Sequence, residues 1–130
     1  PATSYEYYSK ATTVRGQAVT AYMTVRHRGS EVKFREWTGD ALASCFVGKD
    51  LGNGRFSGTL RDIAQRTDVQ AHPAVYLFEN TADGARWGDV QSKFQDIRTG
   101  LKSSPPDDIA AELRAKVDAC SPDHVAGSDQ

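Results

Sequence analysis

Apolar and polar side chains alternate strictly along residues 19–28. Val19, Ala21, Met23 and Val25 point one way, and Tyr22, Thr24, Arg26 and Arg28 the other. A period of two describes a β-strand with one buried face. "HRGS" follows, with Gly29 free to take φ > 0 in a turn. The return strand sets Val32 and Phe34 on the apolar side and Glu31, Lys33, Arg35 and Trp37 on the polar side. The two strands therefore predict a half-buried antiparallel pair.

The same reading extends along the chain. "TSYEYYSKAT" has the aromatic and β-branched content of a strand. In "ALASCFVGKDL", Ala41, Ala43, Cys45 and Val47 share one face, opposite Leu42, Ser44 and Phe46. Gly52-Asn53-Gly54 signals a tight turn into "RFSGTL", with Phe56 and Leu60 inward. A connector follows, with a turn of helix at 62–66. "AVYLFEN" is continuously apolar, as expected of a central strand covered on both faces.

The period then changes. Trp87, Val90, Phe94, Ile97 and Leu101 lie three and four apart, which predicts an amphipathic helix over 85–101. A second helix is expected from a Ser104 cap through Pro105, Pro106 and Asp107, with Ile109, Leu113, Val117 and Cys120 on its apolar face. The expected fold is α+β: a five- to six-stranded, mostly antiparallel sheet followed by two C-terminal helices packed on one face. Residues 1–120 form the single domain and 121–130 a loose tail.

Composition adds limits. The chain has 130 residues, 38% of them hydrophobic, and no apolar run long enough to span a membrane as a helix. Its net charge of −1 gives no global attraction to nucleic acid or anionic lipid. The charge is unevenly spread: residues 1–102 hold 14 Lys/Arg against 11 Asp/Glu, and residues 103–130 hold 2 against 6. Cys45 and Cys120, too far apart in sequence for a metal or redox motif, are expected to pair as a disulfide and to place the protein in an oxidising, secreted setting. Pro1 resembles the N-terminal proline of tautomerases at that one residue; the strand that follows it, where that family has a long helix, ends the resemblance there.

No motif announces chemistry. His27, His72 and His124 lack metal-ligand spacing, and "GNGRFSG" lies between strands and so does not match a dinucleotide-binding turn. No cofactor or metal is expected. The outstanding feature is the polar face of the first hairpin, where Tyr22, Arg26, Arg28, Lys33, Arg35 and Trp37 gather basic and aromatic groups. Such a face suits a macromolecular partner, a protein in the first place, since Arg, Tyr and Trp are common interface anchors. The expected function is a small secreted, non-enzymatic binding protein, effector- or inhibitor-like. RNA binding on the same face is the alternative, or metal-independent RNA cleavage using His27, Glu36 and His72. Strict alternation, however, puts His27 and Glu36 on the apolar side, opposite the arginines. A small-ligand carrier, with its pocket between sheet and helix, is a further possibility, opposed by large side chains such as Phe34, Phe56, Phe78 and Phe94 that would fill the core.

Overall fold

Among the described residues, eight strands, each antiparallel to the next, close on themselves into a barrel. They are β1 (Thr3–Val14), β2 (Gln17–Arg28), β3 (Glu31–Thr38), β4 (Leu42–Gly52), β5 (Arg55–Asp62), β6 (His72–Asn80), β7 (Gly84–Asp89) and β8 (Arg98–Ser103), followed by one helix, α1 (Asp107–Asp118). This computed structural model describes residues 1–38, 42–62, 71–90 and 97–122, with the side chains of all but positions 37, 38, 42, 43 and 62.

The alternation expected in β2 and β3 holds. Met23 pairs with Glu36, Val25 with Phe34 and His27 with Val32, and these residues face inward. Carrying the register onward turns Ser44 and Phe46, then Phe56 and Leu60, then Ala74 and Tyr76 to the same side. The interior is largely aromatic. Phe34 stacks on Phe46 with ring centroids 4.8 Å apart, and Tyr76 meets both edge-on. Phe78 stacks between Phe56 and Trp87, and Tyr8 meets Phe78 and Trp87 at a tilt. Such contacts each add about 0.5–1.5 kcal/mol beyond burial of area.

The open sheet with two helices is overturned. Where a helix over 85–101 was expected, β7 and β8 stand, with residues 91–96 outside the described region. Helical spacing there is coincidental, because the apolar residues face different ways. Trp87 is buried inside the barrel, whereas Ile97 and Leu101 are about half exposed, at 48% and 55%. Gly84, Gly88 and Gly100 also weaken any helix through this stretch. The turn at Arg15 (φ 50°) and Gly16 (φ 80°) escapes the sequence reading too, and it splits the N-terminal region into the two strands β1 and β2. β6 is apolar throughout its middle, yet only its inward residues Ala74 and Tyr76 are buried. The helical turn expected at 62–66 falls mostly outside the described residues, and Asp62 ends β5.

Curvature has a local cause where β4 meets β5. Gly48 pairs with Gly58, and a Cβ on Gly58 would stand 2.2 Å from the Val47 carbonyl oxygen. Only glycine allows so close an approach of two backbones.

The expected second helix exists but begins at Asp107, three residues after Ser104; Pro106 occupies the cap position and makes no side-chain cap bond. Asp107 and Asp108 in the first turn complement the helix dipole. The helix lies outside the barrel against β2 and β3, burying Ala110, Leu113 and Val117. Its far end is fixed by a disulfide from Cys120 to Cys45 on β4, with Cα atoms 5.7 Å apart. Ser121 and Pro122, at the start of the expected tail, are described, and Pro122 is buried and accepts a hydrogen bond from Arg61 Nε at 2.6 Å. Residues 123–130 lie outside the described region. No described helix is long and apolar enough to cross a membrane.

Candidate functional site

The basic hairpin face is on the outside of the barrel, and α1 lies across much of it. Arg26 is 9% exposed; its guanidinium pairs with Glu31 and, at 3.2 Å, with Asp118 on the last turn of the helix. Lys33 donates from Nζ to the carbonyl oxygens of Asp118 and Cys120, each at 3.2 Å. It thereby meets the negative end of the helix dipole. Arg35, 4% exposed, pairs in register with Cys45 beside the disulfide. Tyr5 completes the seat, donating to Asp118 at 2.8 Å. Arg28 stays exposed and bonds Thr3 at 2.9 Å. Tyr22 is half-buried on the wall of a cavity elsewhere. The Trp37 side chain is outside the described set.

The histidines do not converge. His27 lies inside the barrel, 3.0 Å from Glu6, with its ring against Phe56. Glu36 is four residues further along the barrel than Val32, the partner of His27, a rise of about 13 Å. His72 is exposed and sits 2.9 Å from the Pro73 carbonyl. His124 lies outside the described residues.

What the interior does assemble is a polar floor at one mouth. Glu36 is 2% exposed. It accepts a hydrogen bond from Trp87 Nε1 at 2.9 Å and pairs with the Arg98 guanidinium. A buried carboxylate needs both kinds of partner, because burial without them costs several kcal/mol. Gly100 makes room for this arrangement. A Cβ there would stand 2.9 Å from Tyr8 Cβ and 3.1 Å from the Trp87 ring.

Above this floor lies a cavity of about 210 Å³. Met23, Ala21 and the Trp87 ring give it apolar walls, and Lys10, Thr12 and Arg98 bring polar groups. It opens at the end where β1 turns into β2. There β1 pairs with β8 only through Tyr7–Ser9, and β2 pairs with β3 only from Met23 onward, so among the described residues the tip of the hairpin is paired only with itself. The projecting ribbon forms one wall of the mouth.

No family model, curated protein or solved structure matches the chain. The site must therefore be understood from its own groups. Among the described residues no three His, Cys, Asp or Glu side chains gather as a metal site would require. The floor sets two bonded polar groups, Glu36 and Arg98, against the apolar walls of the cavity.

The opposite mouth is latched. Glu6 lies 3.0 Å from His27 Nε2, 2.7 Å from Lys102 Nζ and 3.2 Å from the Tyr8 hydroxyl. These contacts join β1 to β2 and β8. The hydrogen bond from His27 foremost, reinforced by Lys102, holds the Glu6 carboxyl down at about 2 despite its partial burial. Burial first, and the Glu6 charge second, push the Tyr8 hydroxyl up to about 12.

Glu36 was visible in the sequence as a charged residue at an inward position of β3. Trp87 and Arg98 were hidden, because both were assigned to a helix that does not form. Their convergence on Glu36 depends on barrel closure.

Proposed function

We propose that this is a secreted, non-enzymatic binding protein that holds a small amphipathic molecule in the mouth of its barrel. One observation carries the reading: a buried carboxylate, Glu36, fixed by Trp87 and Arg98 at the floor of a partly apolar cavity of about 210 Å³. Small-ligand sites are concave and mostly apolar, and a few placed polar groups set orientation. The outer basic face supports macromolecular binding less well, because Arg26 and Lys33 hold the end of α1. The Cys45–Cys120 disulfide is compatible with an oxidising compartment, and secretion is the reading that follows from it.

The test uses Trp87 as reporter. In a Trp37→Phe background, Trp87 is the single tryptophan. Medium-chain acids, alcohols and amines are titrated while its emission is followed. A saturable shift with at least one class is expected, lost in Ala21→Phe, which fills the cavity from its wall. If no class shifts the emission, the mouth is not a ligand site.

A further inference from the structure

Resting on the mouth-binding reading, we infer that the occupant is an acid: a chain or ring of roughly six to eight carbons, matched to a cavity holding about seven water volumes of ~30 Å³, with a carboxylate head at the rim. The charges along the mouth are ordered by depth. The negative group, Glu36, is at the floor and is 2% exposed, already bonded to Trp87 and Arg98. The positive groups are nearer water. The Arg98 side chain is 34% exposed, and Lys10 is exposed on the projecting ribbon. The described lining residues thus carry two cations and one carboxylate, and no described carboxylate pairs with Lys10.

This order selects among head groups. An ammonium head would have to reach Glu36 by displacing Arg98, leaving a guanidinium in a partly buried site without that carboxylate, a costly exchange. A hydroxyl head gains nothing from the net positive charge. A carboxylate at the rim gains a charge-assisted contact with Lys10 without disturbing the Glu36–Arg98 pair at the floor. The apolar body would lie against Met23, Ala21 and Trp87. Beyond the cavity, Val19, paired in register with the wall residue Thr12 on the projecting ribbon, is 39% exposed and extends the apolar surface toward the rim. An apolar side chain left open on the ribbon that carries Lys10 fits a molecule that is apolar along its length and anionic at one end.

The experiment compares octanoate, 1-octanol and octylamine in the Trp37→Phe protein by Trp87 emission, at low and at physiological salt. Octanoate is expected to bind about tenfold more tightly than 1-octanol at low salt, the scale of one charged hydrogen bond, and to lose part of that advantage as salt rises. Lys10→Glu should weaken octanoate and shift the preference toward octylamine; Lys10→Gln should weaken octanoate alone. Lys10 is exposed, so both variants are expected to melt with the parent, and thermal unfolding checks this. Equal binding of octanoate and 1-octanol, or tightest binding of octylamine, overturns the acid assignment and leaves the mouth reading standing. Failure of all three to shift Trp87 overturns both.

Discussion

Arg26 and Asp118, 92 positions apart in the chain, meet at 3.2 Å where the last turn of α1 crosses β2. The contact explains why basic residues gather on the hairpin. The body of the chain carries excess positive charge and its last quarter excess negative charge, and the helix brings one onto the other. Asp118 takes bonds from Tyr5 and Arg26, and Lys33 meets the carbonyls that end the helix. Two residues of the surface that looks like an interface in the sequence, Arg26 and Lys33, are thus engaged within the molecule.

Charge reversal beneath the helix should therefore unfold the protein more easily. Arg26→Glu would set a third carboxylate beside Glu31 and Asp118. A loss of about 1–3 kcal/mol is expected, less than for a fully buried pair because Glu31 and Asp118 are nearly half exposed. Urea unfolding measures it. A midpoint unchanged from the parent would mean that α1 does not depend on this contact.

The disulfide fixes the same helix covalently. It joins residues 75 positions apart, and removing it with Cys45→Ser and Cys120→Ser should cost about 4–5 kcal/mol on the loop-entropy account. Iodoacetamide without reductant should add no mass to the native protein. Alkylation of both cysteines would show that the bridge is absent in solution.

Gly100 tests the mouth by packing. Gly100→Ala would press a methyl group against Tyr8 and the Trp87 ring, at 2.9 and 3.1 Å. Overpacking of this kind costs about 1–3 kcal/mol. Because the ring would have to move, Trp87 emission should shift in the folded variant. A stable protein with unchanged emission would place the ring elsewhere.

Acid should loosen the opposite mouth. The Glu6 carboxyl titrates at about 2 in the folded protein against 4.5 when unperturbed, so the unfolded chain takes up its proton first. The stability Glu6 supplies is complete above about pH 4.5 and fades as pH falls toward 2. Partial exposure and salt screening reduce its size. In a comparison of the parent with Glu6→Gln, the stability gap should be widest near pH 6 and narrow steadily below 4.5. An equal gap at pH 6 and pH 2.5 would mean that the latch is not electrostatic.

Strand faces were the legible part of this fold. From Met23 to Phe34 alternation gave the inward set, and Phe56 and Leu60 followed; Phe46 was separated from Cys45 without either face being assigned to the interior. Such residues report their face because a strand repeats every two positions whatever it packs against. Closure was not legible. It depends on Tyr8 meeting Lys102, a pairing between opposite ends of the chain that no local pattern records. The misread stretch shows how the error arose. Trp87 and Leu101 belong to two adjoining strands and face opposite ways, yet counted along one line they fall on a helical period. The disulfide was legible because Cys45 was placed on a strand and Cys120 on the buried side of the last helix, although α1 stops at Asp118 and Cys120 lies two residues beyond it. The candidate site was half legible. Glu36 stood out at an inward position, but Trp87 and Arg98 reach it only across the closed interior.

The seam between the first and last strands also bears on the order of assembly. Every other strand pair joins neighbours in sequence, whereas β1 meets β8 through three residue pairs, Tyr7–Ser9 with Leu101–Ser103. Joining the ends of so long a segment carries the largest loop-closure entropy in the molecule, with few contacts to offset it. The ribbon can form strand by strand as a curling sheet, and on this entropy argument the seam is expected to close last and open first. Amide hydrogens along Tyr7–Ser9 and Leu101–Ser103 should exchange through a low-energy opening, well ahead of those between β3 and β4. Such a breathing seam, beside the mouth, would give a small molecule a way in without unfolding the aromatic interior.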